Sequence, residues 1–280
     1  MLEPLQEAFM QRAIAEIALI GLAGGALGCW IVLYELSYAA ESLAHSIFPG
    51  LVIASLAGIP LLLGATPAIV IAALAIALAA RAPGTSRDVG VAVVVTTMFG
   101  LGVLLALSPD SPPGVESLLF GDILGPSDSD LAAAAVLALA VPIALWVLHP
   151  RLLARGFDGA SARALGVSPA RIEALLLVLL AAATVVAVQG LGNLLVVAVL
   201  VGPAAAARQL TKRIVPMLLL AAAIAVVAGI AGLYVSYYAG TAGGASVALA
   251  IVAAYLLALP AGRLLALRPA GRPQPAATIL

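Results

Sequence analysis

Charge is what this sequence has least of: only 9% of its 280 residues are Asp, Glu, Lys or Arg, while 64% are hydrophobic and the mean hydropathy is +1.20. A soluble domain carries about a quarter of its residues as charges, so a water-facing surface cannot be built from this supply. Lysine is nearly absent. Lys212 is the single one, and it does not stand in a G-x-x-x-x-G-K-[ST] loop, so the phosphate cradle of an ATPase is missing. One cysteine, Cys29, lies in an apolar run and excludes both an intrachain disulfide and a thiolate cluster. Basic and acidic residues balance at 13 each, which leaves no basic face for nucleic acid. The opening stretch MLEPLQEAFMQRA lacks the basic head and small-residue cleavage site of a secretory signal, so the whole chain is expected to be mature protein.

What is present is a succession of apolar runs long enough to cross a bilayer, which takes about 20 residues each. They fall at about 13–33, 39–62, 67–80, 89–107, 131–148, 172–188, 193–207, 214–237 and 245–261. The third is short and the seventh is interrupted by Gly202 and Pro203, so either is a candidate re-entrant segment and eight spans stand beside nine. The expected fold is all-α and polytopic. Lys and Arg are retained on the cytoplasmic side of short loops. Here Arg81 and Arg87, then Arg151, Arg155, Arg163 and Arg171, then Arg208, Lys212 and Arg213, then Arg263, Arg268 and Arg272 all fall on one side of a nine-span chain. The other side receives SPDSPPGVESLLFGDILGPSDSD, with Asp110, Glu116, Asp122, Asp128 and Asp130 and no base. The N-terminus is therefore expected outside and the C-terminus inside, with Arg12 alone against the bias.

An ionisable side chain inside an apolar span costs several kcal/mol unless a partner or cavity supports it. In YELSYAAESLAHSIFPGLVIA the pair that qualifies is Glu41 and His45, four residues apart and so on one helical face. A carboxylate with an imidazole is a donor set for first-row metals, and two donors alone suit an ion that must leave again. Pro49 has no N–H for the carbonyl of His45, and Gly50 weakens the next turn, so a broken helix is expected here, with that carbonyl freed. Ser42 and Ser46 add hydroxyls nearby. Two other roles stay open for the pair: a structural hydrogen bond within the bundle, and a proton relay. His149, in HPR at the end of the fifth span, reads as a headgroup-level residue. Gly21, Gly24, Gly25 and Gly28 form small-xxx-small steps that mark helix packing.

The stretch ESLAHSIFPG resembles the metal motif of the zinc/manganese permease family of ABC transporters. So do SRDVGVAVVVTTMFGLGVLL, the outward LLFGDIL, the cytoplasmic FDGASARALGV and the late GLGNLLVVAVLVGPAAAARQL, in that order over about residues 9–262. The resemblance implies an ABC importer permease architecture in the bacterial cytoplasmic membrane, divided as an amphipathic N-terminal segment (1–12), a transmembrane permease domain (13–262) and a cytoplasmic tail (263–280). It implies import of zinc or manganese by alternating access, with the transported ion bound by Glu41 and His45 and no permanently bound cofactor. Aspartate is usual in the family at the first of these places, so Glu41 reaches one methylene farther.

The same resemblance implies a homodimer driven by separate ATP-binding subunits and supplied by an extracytoplasmic metal-binding protein, with no enzyme activity in this chain. Phe157, Ala160, Ala164 and Leu165 suit one helical face in FDGASARALGVSPARI. That stretch, with Phe157, Asp158, Ala164, Leu165 and Gly166, is the expected coupling loop for the ATPase; a surface helix held to anionic lipid is the other reading. A stand-alone secondary transporter or channel, using Glu41 and His45 as a relay, is the competing function.

Overall fold

The computed structural model describes residues 3–79, 87–109, 123, 125–157, 162–163, 166, 168–192 and 195–267. The described chain is helical: α1 (Ala8–Leu33), α2 (Ser37–Ser46), α3 (Phe48–Leu56), α4 (Leu61–Ala79), α5 (Arg87–Ala106), α6 (Asp128–Phe157), α7 (Pro169–Leu191), α8 (Val196–Leu210), α9 (Ile214–Ala239) and α10 (Gly243–Leu267), after a 3-10 turn at Glu3–Gln6. Seven membrane-length spans result, with α2 and α3 forming one of them, and α4 and α8 are shorter apolar helices. Helix ends follow local chemistry. Ser127 caps α6 in a box with Asp130, whose carboxylate accepts the Ser127 N–H at 2.9 Å. Pro169 opens α7, where its missing N–H costs nothing. Gly240, at φ +64, closes α9 in the left-handed conformation.

The first span is the axis of the bundle, and its glycines are the reason. On one face Gly21 and Gly25 meet α9: a Cβ at Gly21 would lie 3.1 Å from that of Ala225, and one at Gly25 would lie 2.8 Å from the Ala221 carbonyl. Gly229 meets Ile17, and Cys29 reaches the Met217 carbonyl, so α9 descends by four as α1 climbs by four. The two helices are antiparallel. On another face Gly24 and Gly28 meet Leu200 and Ala204 of α8, and Arg208 donates to the Val32 carbonyl at 3.4 Å. These pairs climb together, so α8 runs parallel to α1. Without side chains at the glycines the backbones approach closely, which is how helices gain packing energy where lipid offers no hydrophobic drive.

Contacts along α6 rise in step with α1 as well. Arg12 pairs with Asp128 at 2.6 Å, Trp30 stands edge-on to His149 at 5.8 Å, and the Tyr34 hydroxyl donates to the Leu152 carbonyl at 2.7 Å. Parallel α1 and α6 need an odd number of crossings between them, and α2–α3, α4 and α5 supply three. Parallel α1 and α8 likewise require α7 and α8 to cross. Nine spans follow, and neither short helix turns back. Arg12, the base that stands against the expected charge bias, pairs with an acid at the same end of the bundle.

The arm formed by α3, α4 and α5 packs backbone to backbone. A Cβ on Gly50 would overlap the Gly64 carbonyl, and one on Gly64 would overlap that of Gly50. Outward from this contact α4 and α5 present Leu63, Leu74, Leu78, Leu101 and Leu104, all exposed, as a surface suited to lipid. The helices also exceed the sequence-based bounds at both ends of the chain, since α1 starts at Ala8 and α10 runs on to Leu267.

Candidate functional site in a broken span

The corner before the site is tight. Leu36 N–H bonds the Ile31 carbonyl at 2.9 Å and Glu35 N–H the Val32 carbonyl at 3.4 Å, a Schellman closure of α1. Its left-handed position, where glycine is preferred, holds Glu35 at φ +59. α2 begins two residues later. The helix break expected near Pro49 falls at Ile47, with Pro49 in the first turn of α3, where its ring is tolerated. The carbonyl of His45 is not left open by this break. It receives the N–H of Ile47.

Glu41 lies on the exposed side of α2 and His45 is half-buried one turn on, its ring edge-on to Phe99 of α5 at 5.2 Å. At about 1.5 Å per residue they sit roughly 6 and 12 Å into the span from the start of α2. Ser42 and Ser46 are buried, and each hydroxyl donates back to the carbonyl four residues earlier at 2.7 Å. That use directs them into their own helix. Pro49 and Gly50 are buried where α3 meets α4 and α5, Gly50 being the close-approach point with Gly64. Among the described residues no cluster of three or more His, Cys, Asp or Glu forms.

Behind α2 lies a cavity of about 670 Å³ between α2, α4, α5 and α7. Ser42, Tyr38 and Leu43 line it together with Leu177, Glu35 and Glu173; neither Glu41 nor His45 lines it. Of the expected coupling loop, Phe157 is the last residue of α6, and Gly166 is exposed at φ +76 with its N–H on the Arg163 carbonyl at 3.0 Å. Asp158, Ala164 and Leu165 lie outside the described residues, as do Asp110, Glu116 and Asp122 of the acidic segment.

Three residues near these elements carry no site role in the sequence analysis. Glu16, 1% exposed in α1, directs its carboxylate at the space left by Gly190 of α7. Its signal was available: a lone acid inside an apolar run. Tyr34 and Arg155 meet at the other end of α1, the guanidinium 5.2 Å from the ring centroid. Burial pushes the Tyr34 phenol up to about 12 against a smaller downward pull from Arg155, so its hydroxyl remains a donor.

A nine-span helical bundle with a carboxylate and an imidazole on a broken span defines a membrane transport protein. The model of the ABC 3 transport family matches residues 6–261, and the chain belongs to that family. The manganese transport system membrane protein MntC of Halalkalibacterium halodurans is 35% identical over 257 residues, covering 91% of this chain and 87% of that protein. The chelated iron transport system membrane protein YfeC of Yersinia pestis is 33% identical over 250 residues, covering 89% and 85%. The structure of PsaBC from Streptococcus pneumoniae in complex with Fab superposes with a TM-score of 0.87 at 28% identity, over 95% of this chain and 98% of that one. The chain is thus the multi-pass membrane component of an ABC transporter, and ATP hydrolysis belongs to a separate subunit. A stand-alone transporter is set aside.

Proposed function

We propose that this chain is the permease of an importer of divalent transition metal, with manganese as first cargo and zinc or iron as competitors, and that it works as a homodimer. One observation carries the reading: Glu41 is exposed on an isolated chain although it belongs to a membrane-spanning segment. A carboxylate facing hydrocarbon costs several kcal/mol, so that face of α2 belongs against a path or a second copy. Two copies bring two carboxylates and two imidazoles, a four-donor set compatible with first-row divalent ions. The relatives named for manganese and iron transport support this class of cargo. Separate ATP-binding subunits dock at the segment after α6, and an extracytoplasmic metal-binding protein delivers the ion to the face that carries Asp128 and Asp130. Transport follows by alternating access.

Replacing Glu41 with Gln or His45 with Ala removes one donor per chain without added bulk. Uptake at limiting manganese is expected to fall at least tenfold in cells that insert each variant normally, as measured by isotope accumulation. Uptake near the parent level in both variants would return the pair to a purely structural role.

A further inference from the structure

We propose that Tyr34 is the positioning residue that passes movement of the ATPase-facing end of α6 to the metal-bearing helix α2, through the hydrogen bond of its hydroxyl to the Leu152 carbonyl. The inference rests on the importer reading given above and deepens it. The link has three parts. Tyr34 is held on α6 twice, by the 2.7 Å bond to Leu152 and by the Arg155 guanidinium over its ring, both within the last two turns before α6 ends at Phe157. Trp30, buried one turn earlier in α1, adds a face to His149 and to Tyr34 itself.

The second part is the corner. Only Glu35 and Leu36 separate Tyr34 from α2, and both amides are bonded back into the last turn of α1. A corner closed in this way transmits displacement, since it has no slack residue to absorb it. Glu35 holds a left-handed conformation that is unfavourable for a non-glycine residue, and such strain persists where the surroundings fix the backbone.

The third part is what else reaches α2. α6 is not among the helices packed extensively on α2 in the described residues. α7, which follows the coupling segment, packs on α2 directly and is the competing route. The manganese-to-ATP ratio of Tyr34→Phe separates the two.

The test uses the full transporter, with its ATP-binding subunit and metal-binding protein, in proteoliposomes loaded for manganese uptake. Tyr34→Phe keeps the ring and loses the bond; Arg155→Gln keeps the bond and loses the cation. Manganese moved per ATP hydrolysed is expected to fall roughly threefold to tenfold in Tyr34→Phe, the range that one partly buried hydrogen bond governs, and less in Arg155→Gln. Complex assembly, thermal stability and ATP hydrolysis should stay near the parent values, which a merely structural role for the bond would not allow. An unchanged manganese-to-ATP ratio in Tyr34→Phe would overturn the proposal and direct attention to α7. A drop in stability or assembly that accounts for the whole loss would also overturn it. A parent complex that hydrolyses ATP and moves no manganese would instead overturn the importer reading, and this inference with it.

Discussion

Glu41 and His45 are one helical turn apart, yet they sit in different surroundings: the carboxylate is exposed and the imidazole is braced by Phe99. The added methylene of Glu41 over aspartate lengthens the one donor that is free to adjust. Glu41→Asp is therefore expected to keep uptake within about tenfold of the parent, in contrast to Glu41→Gln, while changing how strongly zinc competes with manganese, because donor reach sets the geometry each ion meets. Competition curves of manganese uptake against added zinc measure this, and superimposable curves would show that the reach of residue 41 does not tune the cargo. Glu16 was as visible in the sequence as Glu41, but its neighbour was not. Only the fold reveals that Gly190 leaves the space its carboxylate occupies.

At the scale of helices, two glycines on α5 separate packing from conformational freedom. A Cβ at Gly102 would run into the Phe48 ring and come within 2.9 Å of the Pro49 nitrogen, whereas one at Gly100 would meet nothing within 4 Å. Gly102→Ala should lower stability by about 1 to 3 kcal/mol through overpacking. Gly100→Ala should be neutral or gain up to roughly 1 kcal/mol, since alanine restricts the unfolded chain. Thermal melts of the detergent-purified protein decide the pair, and equal losses would refute the contrast. Apolar run length located each apolar helix but not its ends, since α6 runs on to Phe157 where the run stops at 148 and α4 starts at Leu61 where the run starts at 67, and it left eight and nine spans both open. Pro49 located the break to within two positions. Hydropathy could not tell which glycines face α9 and which α8, because both sets lie in one uniformly apolar helix. Nor could it place the hydroxyls of Ser42 and Ser46, which turn inward because the nearest acceptors are their own backbone carbonyls.

For the whole molecule the parallel pairs fix the number of crossings, and the arginine distribution fixes the direction. Cys29 is fully buried, so the chain offers a silent background for thiol labelling. Ile59→Cys, between α3 and α4, should react with an impermeant maleimide from outside intact cells. Lys212→Cys, between α8 and α9, should react only after permeabilisation. Labelling of both from one face would contradict nine spans in this orientation. The central place of α1 also has a consequence in time. α1 is synthesised first, but the helix that fills its Gly21 and Gly25 face begins about 180 residues later, at Ile214. At about 5 to 20 residues per second the ribosome takes roughly 10 to 40 seconds to deliver that partner. α7 and α8 are made within that interval and α9 at its end, so the partners of Glu16, of Gly24 and Gly28, and of Gly21 and Gly25 arrive one after another, and the insertion machinery must keep each face of α1 from other partners until its own arrives.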